Sequence, residues 1–174
     1  RKLSFILVML MCVASVSAQK SKVTGAQNYL TSGKLDKAKE AIDEGIQDEK
    51  CVAYAKAYLV KGKVYQGIFE SPLPAYKKLA EKPLDIAFDA YMKALELDEK
   101  GKMEKPVKAQ MTNMIPDYTN EAVNLYNAGD FPGALAAFER VLDIEGMDMF
   151  KENATIDTAV IFNAGMTAQK ADQL

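Results

Sequence analysis

The spacing of small and large residues constrains the fold more than any other feature of this sequence, because it occurs twice. One stretch reads YLTSGKLDKAKEAIDEGI and a later one reads LYNAGDFPGALAAFERVL. The two share few letters. Yet Gly33 and Gly129 are 129 − 33 = 96 positions apart, and Ala38 and Ala134 are separated by the same number of positions. The repetition indicates that the chain builds one local structure more than once.

That local structure is predicted to be a helical hairpin. From Lys20 onward, apolar residues recur every three or four positions, the period of an α-helix, and nothing reads as a strand. Gly33 and Gly129 stand where a helix should end, and glycine readily accepts the positive φ needed there. Asp130 is predicted to cap the next helix, with Pro132 in its first turn. Each stretch should therefore fold as helix, tight turn, helix.

The small residues are predicted to mark where two antiparallel helices cross closely. Ala26 would meet Ala38 in the first hairpin, and Ala122 would meet Ala134 in the later one. Larger residues would fill the volume around these crossings: Tyr29, Leu35, Ile42, Leu125, Phe131 and Phe138. A single hairpin of this size cannot bury its own apolar face, so the hairpins are expected to stack in series.

A middle unit has the same pattern with a longer connection. Its first helix would carry Gly62 and Tyr65, and its second Ala87, Tyr91 and Ala94. An insertion, 68–83, separates them, in which Ser71-Pro72 would cap a short helix that Pro83 ends. The insertion is expected either to rim a binding groove or to be a plain surface loop.

A fourth first helix is predicted over 156–171, with Gly165 and Ala168. No partner helix follows it, and the first residue is Arg1 rather than Met, so we expect the sequence to be cut at both ends. The predicted units are about 20–50, 54–99, 115–147 and a partial 158–174.

Residues 1–18 are predicted to be a secretory signal peptide, followed by one repeat domain over 19–174. A basic start precedes an apolar run and small residues before Gln19, with cleavage expected after Ala18. The run is too short to span a membrane, which needs about 20 residues. The alternatives are a membrane anchor or a buried first helix. Removing Arg1 and Lys2 changes the net charge from −2 to −2 − 2 = −4.

The two cysteines do not predict a disulfide. Cys12 follows Met11, whereas a bacterial lipoprotein signal needs a small residue there, so Cys12 is expected to be part of the signal. Cys51 would then be the single cysteine after cleavage, and we expect it to be a packing residue.

The hairpin pattern resembles the tetratricopeptide repeat, a helix-turn-helix unit of about 34 residues. Nearly all of 20–171 takes part in the resemblance, although the family's tryptophan is absent and the spacing between units is irregular. It implies an all-α fold, an α-α superhelix of stacked hairpins. The signal peptide together with this spacing resembles exported repeat proteins of Bacteroidetes-type bacteria, which implies the periplasm or an association with the outer membrane.

In that family, the first helices line a concave groove that binds peptides or partner helices. The positions of this chain that match the groove-facing positions are Val23, Gln27, Leu30, Thr31, Leu59, Lys63, Gln66, Gly67, Thr119, Val123, Tyr126, Asn127, Phe162, Met166, Gln169 and Lys170. A carboxylate clamp for a ligand's C-terminus is not expected, because Val23 and Gln27 stand where it needs Lys and Asn. The same positions are also compatible with a simply solvated face.

Catalysis is not expected. The chain has no histidine, so it can form neither a Ser-His pair nor a His-ligated zinc site. The acidic clusters at 41–50 and 96–105 mix with lysines and are interpreted as solvated helix ends. The methionines Met103, Met111 and Met114 are interpreted as core residues rather than a binding surface. No phosphate-binding loop is recognised. A net charge of −2 does not indicate the basic surface that nucleic-acid binding needs.

The sequence therefore predicts a non-catalytic protein-interaction scaffold of the cell envelope, with no cofactor and with a protein or peptide as partner. One alternative is a glycan- or nutrient-binding accessory of an outer-membrane uptake system. A hydrolase with an unrecognised carboxylate pair is the other.

Overall fold

The computed structural model describes residues 21–47, 53–153 and 157–172. Within these ranges the chain is all-helical, with no strand, which confirms the predicted all-α class. The helices are α1 (21–31), α2 (Leu35–Ile46), α3 (Ala55–Glu70), α4 (Pro74–Lys77), α5 (Pro83–Glu96), α6 (Glu104–Asn127), α7 (Phe131–Glu145) and α8 (Thr158–Ala171), with a 3₁₀ helix at Asp148–Asn153. The predicted signal peptide and Cys51 lie outside the described residues.

The chain divides into two compact units, Arg1–Met103 and Glu104–Leu174. The first contains α1 to α5 and the second contains α6 to α8. The single repeat domain predicted over 19–174 includes both units and stays a prediction.

The two turns that are 96 positions apart have the same backbone structure. Gly33 has φ 69° and Gly129 has φ 83°. The amide of Lys34 donates to the carbonyl of Tyr29 at 2.9 Å, and the amide of Asp130 donates to that of Leu125 at 3.0 Å. Each bond spans five residues, as in a Schellman ending of a helix, which needs a residue with positive φ. The glycines therefore end α1 and α6 in the same way.

The predicted crossing residues of the first hairpin are buried. Ala26 and Ala38 are both fully inaccessible, and so is Ile42. Tyr29 differs from the expectation that it fills the volume around the crossing, because 38% of its surface is exposed. At the other end of the hairpin, Lys22 forms an ion pair with Glu44 at 2.6 Å.

In the middle unit, α3 packs on α5 through Gly62. A Cβ atom at Gly62 would lie 2.5 Å from Cδ1 and 2.7 Å from Cζ of Tyr91, closer than carbon atoms approach. Only glycine therefore fits without a shift of the ring. Tyr91 itself is fully buried, with Ala87 and Ala94 beside it on the same face of α5.

The insertion between α3 and α5 differs in detail from its prediction. Its helix is a single turn, Pro74–Lys77, and Ser71 is not its cap: the Ser71 hydroxyl accepts from the Leu73 amide at 3.2 Å. Pro83 begins α5 rather than ending a helix, because proline lacks only an amide that the first turn leaves unpaired anyway. The Tyr76 hydroxyl donates to the carbonyl of Gly33 at 3.2 Å, which ties the insertion to the first turn.

In the second unit, α6 starts at Glu104, well before the predicted boundary at 115. It contains Pro116, which supplies no amide for the hydrogen bonds of the helix interior. The helix continues because one stripe of apolar residues is buried along its length, among them Met111, Met114 and Tyr118. The burial of Met111 and Met114 confirms their interpretation as core residues, whereas Met103 precedes the helix.

Helix α7 packs against both α6 and α8. Asp130 caps α7 as predicted, since its carboxylate accepts from the Gly133 amide at 3.0 Å. Ala122 and Ala134 are fully buried, and Phe138 is 2% exposed. Helix α8 is capped by Asp157, which accepts from the amides of two residues in the first turn.

Candidate binding cleft

A cleft opens between α6 and α8, with α7 behind it. Its volume is about 250 Å³. The residues that line it are Val123, Tyr126, Phe138, Phe162, Asn163, Met166 and Thr167. Four of these were predicted as groove residues from the sequence, so the fold brings two of the four predicted α6 residues and two of the four predicted α8 residues to one place.

The walls of the cleft are formed by exposed apolar side chains. Val123 is 44% exposed, Phe162 66% and Met166 41%. Large apolar side chains exposed together on a soluble unit mark an interaction site more often than single ones do. The polar groups at the cleft belong to Tyr126, Asn163 and Thr167.

The ring of Tyr126 packs against the ring of Phe131. It stands edge-on to the ring of Phe131, with centroids 5.2 Å apart and planes at 70°. The ammonium of Lys170, on α8, lies 5.8 Å from the centroid of the same Phe131 ring. Aromatic pairs prefer this edge-to-face geometry, so the contact with Phe131 favours this orientation of the Tyr126 ring.

Three lining residues were not predicted as site residues. Phe138 was predicted as core, and it is buried while still forming the floor of the cleft. Asn163 and Thr167 each follow a predicted residue by one position on α8. The Thr167 hydroxyl donates to the carbonyl of Asn163 at 2.6 Å, which satisfies this buried group. Asn163 and Thr167 could have been predicted from their positions on α8, next to Phe162 and Met166.

The other predicted residues of the second unit do not line the cleft. Thr119 is half-buried, and its hydroxyl donates to the carbonyl of Ile115 at 2.8 Å within α6. Asn127 is exposed and is the last residue of α6.

In the first unit the predicted residues lie in different environments. Thr31 is exposed and its hydroxyl donates to the carbonyl of Gln27, whereas Gln27 and Lys63 are half-buried. Gln66 departs from the expectation that it faces a groove. It is 3% exposed, its oxygen accepts from the Tyr91 hydroxyl and its amide nitrogen donates to Glu70, both at 2.8 Å. The side-chain amide of Gln66 therefore makes its hydrogen bonds inside the unit.

The surroundings of two tyrosines in the first unit raise the pKa of their hydroxyls. Burial raises the pKa of the Tyr91 hydroxyl far above its usual value, and the negative charge of Glu70 adds to this. Burial also raises the pKa of Tyr65, with the hydrogen bond to Asp43 and its charge acting in the same direction. That hydrogen bond is 2.8 Å long. Both hydroxyls are therefore held as neutral donors.

A second, more polar depression of about 340 Å³ lies between α1 and α2. Its lining residues are Lys22, Tyr29, Lys37, Glu40, Ala41 and Glu44. The part of the chain that the structure describes contains no cluster of acidic and cysteine side chains suited to a metal ion. In the same residues, every helix is too short or too polar to cross a bilayer.

Comparison with known proteins gave no match to a family model, to a curated protein or to a solved structure.

Proposed function

We propose that this protein is a non-catalytic interaction module that binds a peptide or a partner helix by inserting an apolar side chain into the α6/α8 cleft. The observation that carries the proposal is the convergence of Val123, Phe162 and Met166, all substantially exposed, on one cavity. Binding clefts are typically concave and mostly apolar, with few polar groups to orient the ligand.

The chemistry of the lining supports recognition rather than reaction. Its seven residues include no carboxylate, amine, imidazole or thiol. The hydroxyl of Tyr126 and the amide of Asn163 can hydrogen-bond a peptide backbone, while Phe162 and Met166 supply apolar contact area. A thioether beside an aromatic ring adapts to side chains of different shapes.

The same proposal includes the architecture and the location. The two Schellman turns with their buried small residues, Ala26 and Ala122, support an α-α superhelix of tetratricopeptide type. The basic and apolar character of 1–18 supports export to the periplasm or the outer membrane. Together they give a scaffold of the cell envelope whose partner is a protein.

The experiment is site-specific photo-crosslinking in the cell envelope. A photoreactive amino acid is placed at Phe162 in one protein and at Leu73 in a matched control. Leu73 is 53% exposed, lies in the insertion of the first unit and is not among the residues that line the cleft. We expect a discrete crosslinked band from position 162 that is missing from position 73, with the partner identified by mass spectrometry.

The cleft must also be required for capture. Val123→Ser removes an exposed apolar wall and is expected to abolish the band, while Leu73→Ser leaves it unchanged. Equal crosslinking from both positions, or a band that persists in Val123→Ser, would contradict binding in the cleft.

The polar depression between α1 and α2 favours the alternative function, a glycan- or nutrient-binding accessory. The ring of Tyr29 is 38% exposed there, beside Lys37 and Glu40, and an accessible ring flanked by polar groups suits a sugar. Calorimetric titration with soluble oligosaccharides tests this. A saturable heat of binding that is lost in the Tyr29→Ala variant would favour the alternative function over peptide binding.

A further inference from the structure

Two methionine side chains of the described residues are exposed, and one of them lines the proposed cleft. Met166 is 41% exposed and Met92 is 40% exposed. Met111 and Met114 are fully buried, and the other described methionines are half-buried. An oxidant must reach the sulfur of a methionine to oxidise it. In the part of the chain that the structure describes, Met92 and Met166 are therefore the methionines most open to oxidation.

The position of Met166 has a counterpart in α6 that stays exposed although its hairpin has both helices. Met166 follows the small residue Gly165 by one position, and Val123 follows Ala122 in the same way. Helix α6 packs against its second helix, α7, and Val123 is nevertheless 44% exposed. Both Val123 and Met166 line the cleft. The position after the small residue therefore forms a cleft wall in both helices.

Oxidation changes the chemistry of such a wall. A peroxide transfers one oxygen atom to the sulfur: the sulfur gives two electrons, the O–O bond breaks, and a thioether and hydrogen peroxide become a sulfoxide and water. The thioether is only a weak hydrogen-bond acceptor, whereas the sulfoxide is polar. An apolar side chain that covered the new oxygen would separate it from water and leave it without a donor, which weakens binding.

The polar groups of the cleft add to this effect. The hydroxyl of Tyr126 and the side-chain amide of Asn163 belong to the same lining and can donate hydrogen bonds. Under the proposed function, these donors orient a peptide backbone. A sulfoxide at Met166 is an additional acceptor that competes for them. Oxidation therefore acts against both the apolar and the polar contacts of the ligand.

We infer that Met166 is an oxidation site, and that its conversion to the sulfoxide by a peroxide prevents the α6/α8 cleft from binding its apolar ligand. The inference rests on the proposed function, because it names how that same cleft is regulated. The change is reversible by a reductase with a dithiol: the two thiols become a disulfide, and the oxygen leaves as water. The fold should persist, since Met111 and Met114 are buried out of reach of the oxidant.

The test begins with the full chain, purified, treated with hydrogen peroxide and mapped by mass spectrometry of its peptides. We expect Met92 and Met166 to gain one oxygen atom before Met111 and Met114 do. The peroxide is then removed, and the chain, with the photoreactive amino acid at Phe162, is crosslinked in an untreated envelope extract. Oxidation should weaken the crosslinked band at least about tenfold, as expected for one buried acceptor without a partner.

Two variants and a rescue assign the loss to one sulfur, each protein being compared with its own untreated sample. Met92→Leu is the matched control, because Met92 is similarly exposed but is not a lining residue of the cleft. Its band should fall as that of the unmodified chain does. Met166→Leu cannot form a sulfoxide, so its band should survive peroxide. Treatment of the oxidised chain with a methionine sulfoxide reductase and dithiothreitol should restore the band.

Several outcomes would overturn the inference. They are a band that persists once Met166 is oxidised, an equal loss in Met166→Leu, a failure of the reductase to restore the band, and a loss of helix by circular dichroism on oxidation. A persisting band would leave the proposed function intact, because the oxidised cleft would still bind. Absence of the band before oxidation would instead contradict the proposed function, and this inference with it.

Discussion

The backbone of Gly62 lies against the ring of Tyr91 with no space for a methyl group between them. A Cβ atom there would be 2.5 Å from Cδ1 of the ring. Tyr91 is fully buried, and its hydroxyl is held by Gln66, so the ring has little freedom to move away. The packing of α3 on α5 therefore depends on the absence of one side chain.

Gly62→Ala is expected to destabilise the first unit by about 1–3 kcal/mol, the usual cost of overpacking a core. The gain in helix propensity from glycine to alanine, up to about 1 kcal/mol, offsets only part of this. Urea unfolding followed by circular dichroism measures the change.

Gly165→Ala is the matched comparison. It makes the same chemical change in a helix, but no atom lies within 4 Å of the new methyl group. The free energy of unfolding should therefore stay the same or rise by up to about 1 kcal/mol. Equal losses for Gly62→Ala and Gly165→Ala would show that the Tyr91 ring is not the cause.

The buried bond between Tyr91 and Gln66 predicts a non-additive pair of substitutions. Tyr91→Phe leaves the Gln66 oxygen buried without its donor, at an expected cost of about 1–3 kcal/mol. Gln66→Leu likewise leaves the Tyr91 hydroxyl without its acceptor. The double variant removes both groups, so its cost should be smaller than the sum of the two single costs. A double-mutant cycle in urea measures the coupling, and strict additivity would mean that the bond contributes nothing.

The raised pKa values of Tyr65 and Tyr91 predict a loss of stability in alkali. Both hydroxyls stay protonated in the folded chain at a pH where an unfolded tyrosine, with a pKa of about 10, has lost its proton. The unfolded chain then binds fewer protons, so the free energy of unfolding falls as pH rises. The stability that the two neutral hydroxyls contribute is fully present below about pH 10 and is lost progressively above it.

Urea midpoints measured from pH 8 to pH 11 test this dependence. Lysines also titrate in the upper part of that range, so the control is the variant with Tyr65→Phe and Tyr91→Phe. Its stability should fall less steeply above about pH 10. Identical slopes for the two proteins would show that the tyrosines do not cause the loss.

Truncation of two phenylalanines at the cleft is expected to change stability by very different amounts. Phe138 is 2% exposed, so Phe138→Ala should cost about 3–5 kcal/mol. Phe162 is 66% exposed, and Phe162→Ala should change stability by less than about 0.5 kcal/mol. Thermal unfolding of the two variants checks this. A large loss for Phe162→Ala would mean that the residue maintains the fold, and binding defects at that position could not be assigned to the cleft.

Local features of the fold were predictable because short-range chemistry determines them. Gly33 and Gly129 take positive φ, and Asp130 caps α7. The burial of Ala26 and Ala122 followed from their spacing. The start of α6 was not predictable in the same way, because Pro116 argues for a boundary and only the buried stripe through Met111 overrides it.

The candidate site was predictable in part for a similar reason. Val123 and Phe162 were predicted from the groove-facing positions that the family resemblance implies, and both are exposed in the structure. Gln66 is another of the predicted groove positions, matching Tyr126, but the Tyr91 hydroxyl that binds it comes from a helix 25 positions away in sequence. Partners from distant parts of the chain decide whether a polar side chain faces solvent, and no local pattern contains that information.

The edge-on contact between Tyr126 and Phe131 has a spectroscopic consequence. Tyr126 lines the cleft, whereas Phe131 is not among its lining residues. The ring current of Tyr126 shifts the resonances of the Phe131 ring protons, so any ligand that reorients Tyr126 changes them. The chain has no tryptophan to serve as a fluorescent reporter. The aromatic NMR signals of Phe131 therefore offer a label-free readout of cleft occupancy.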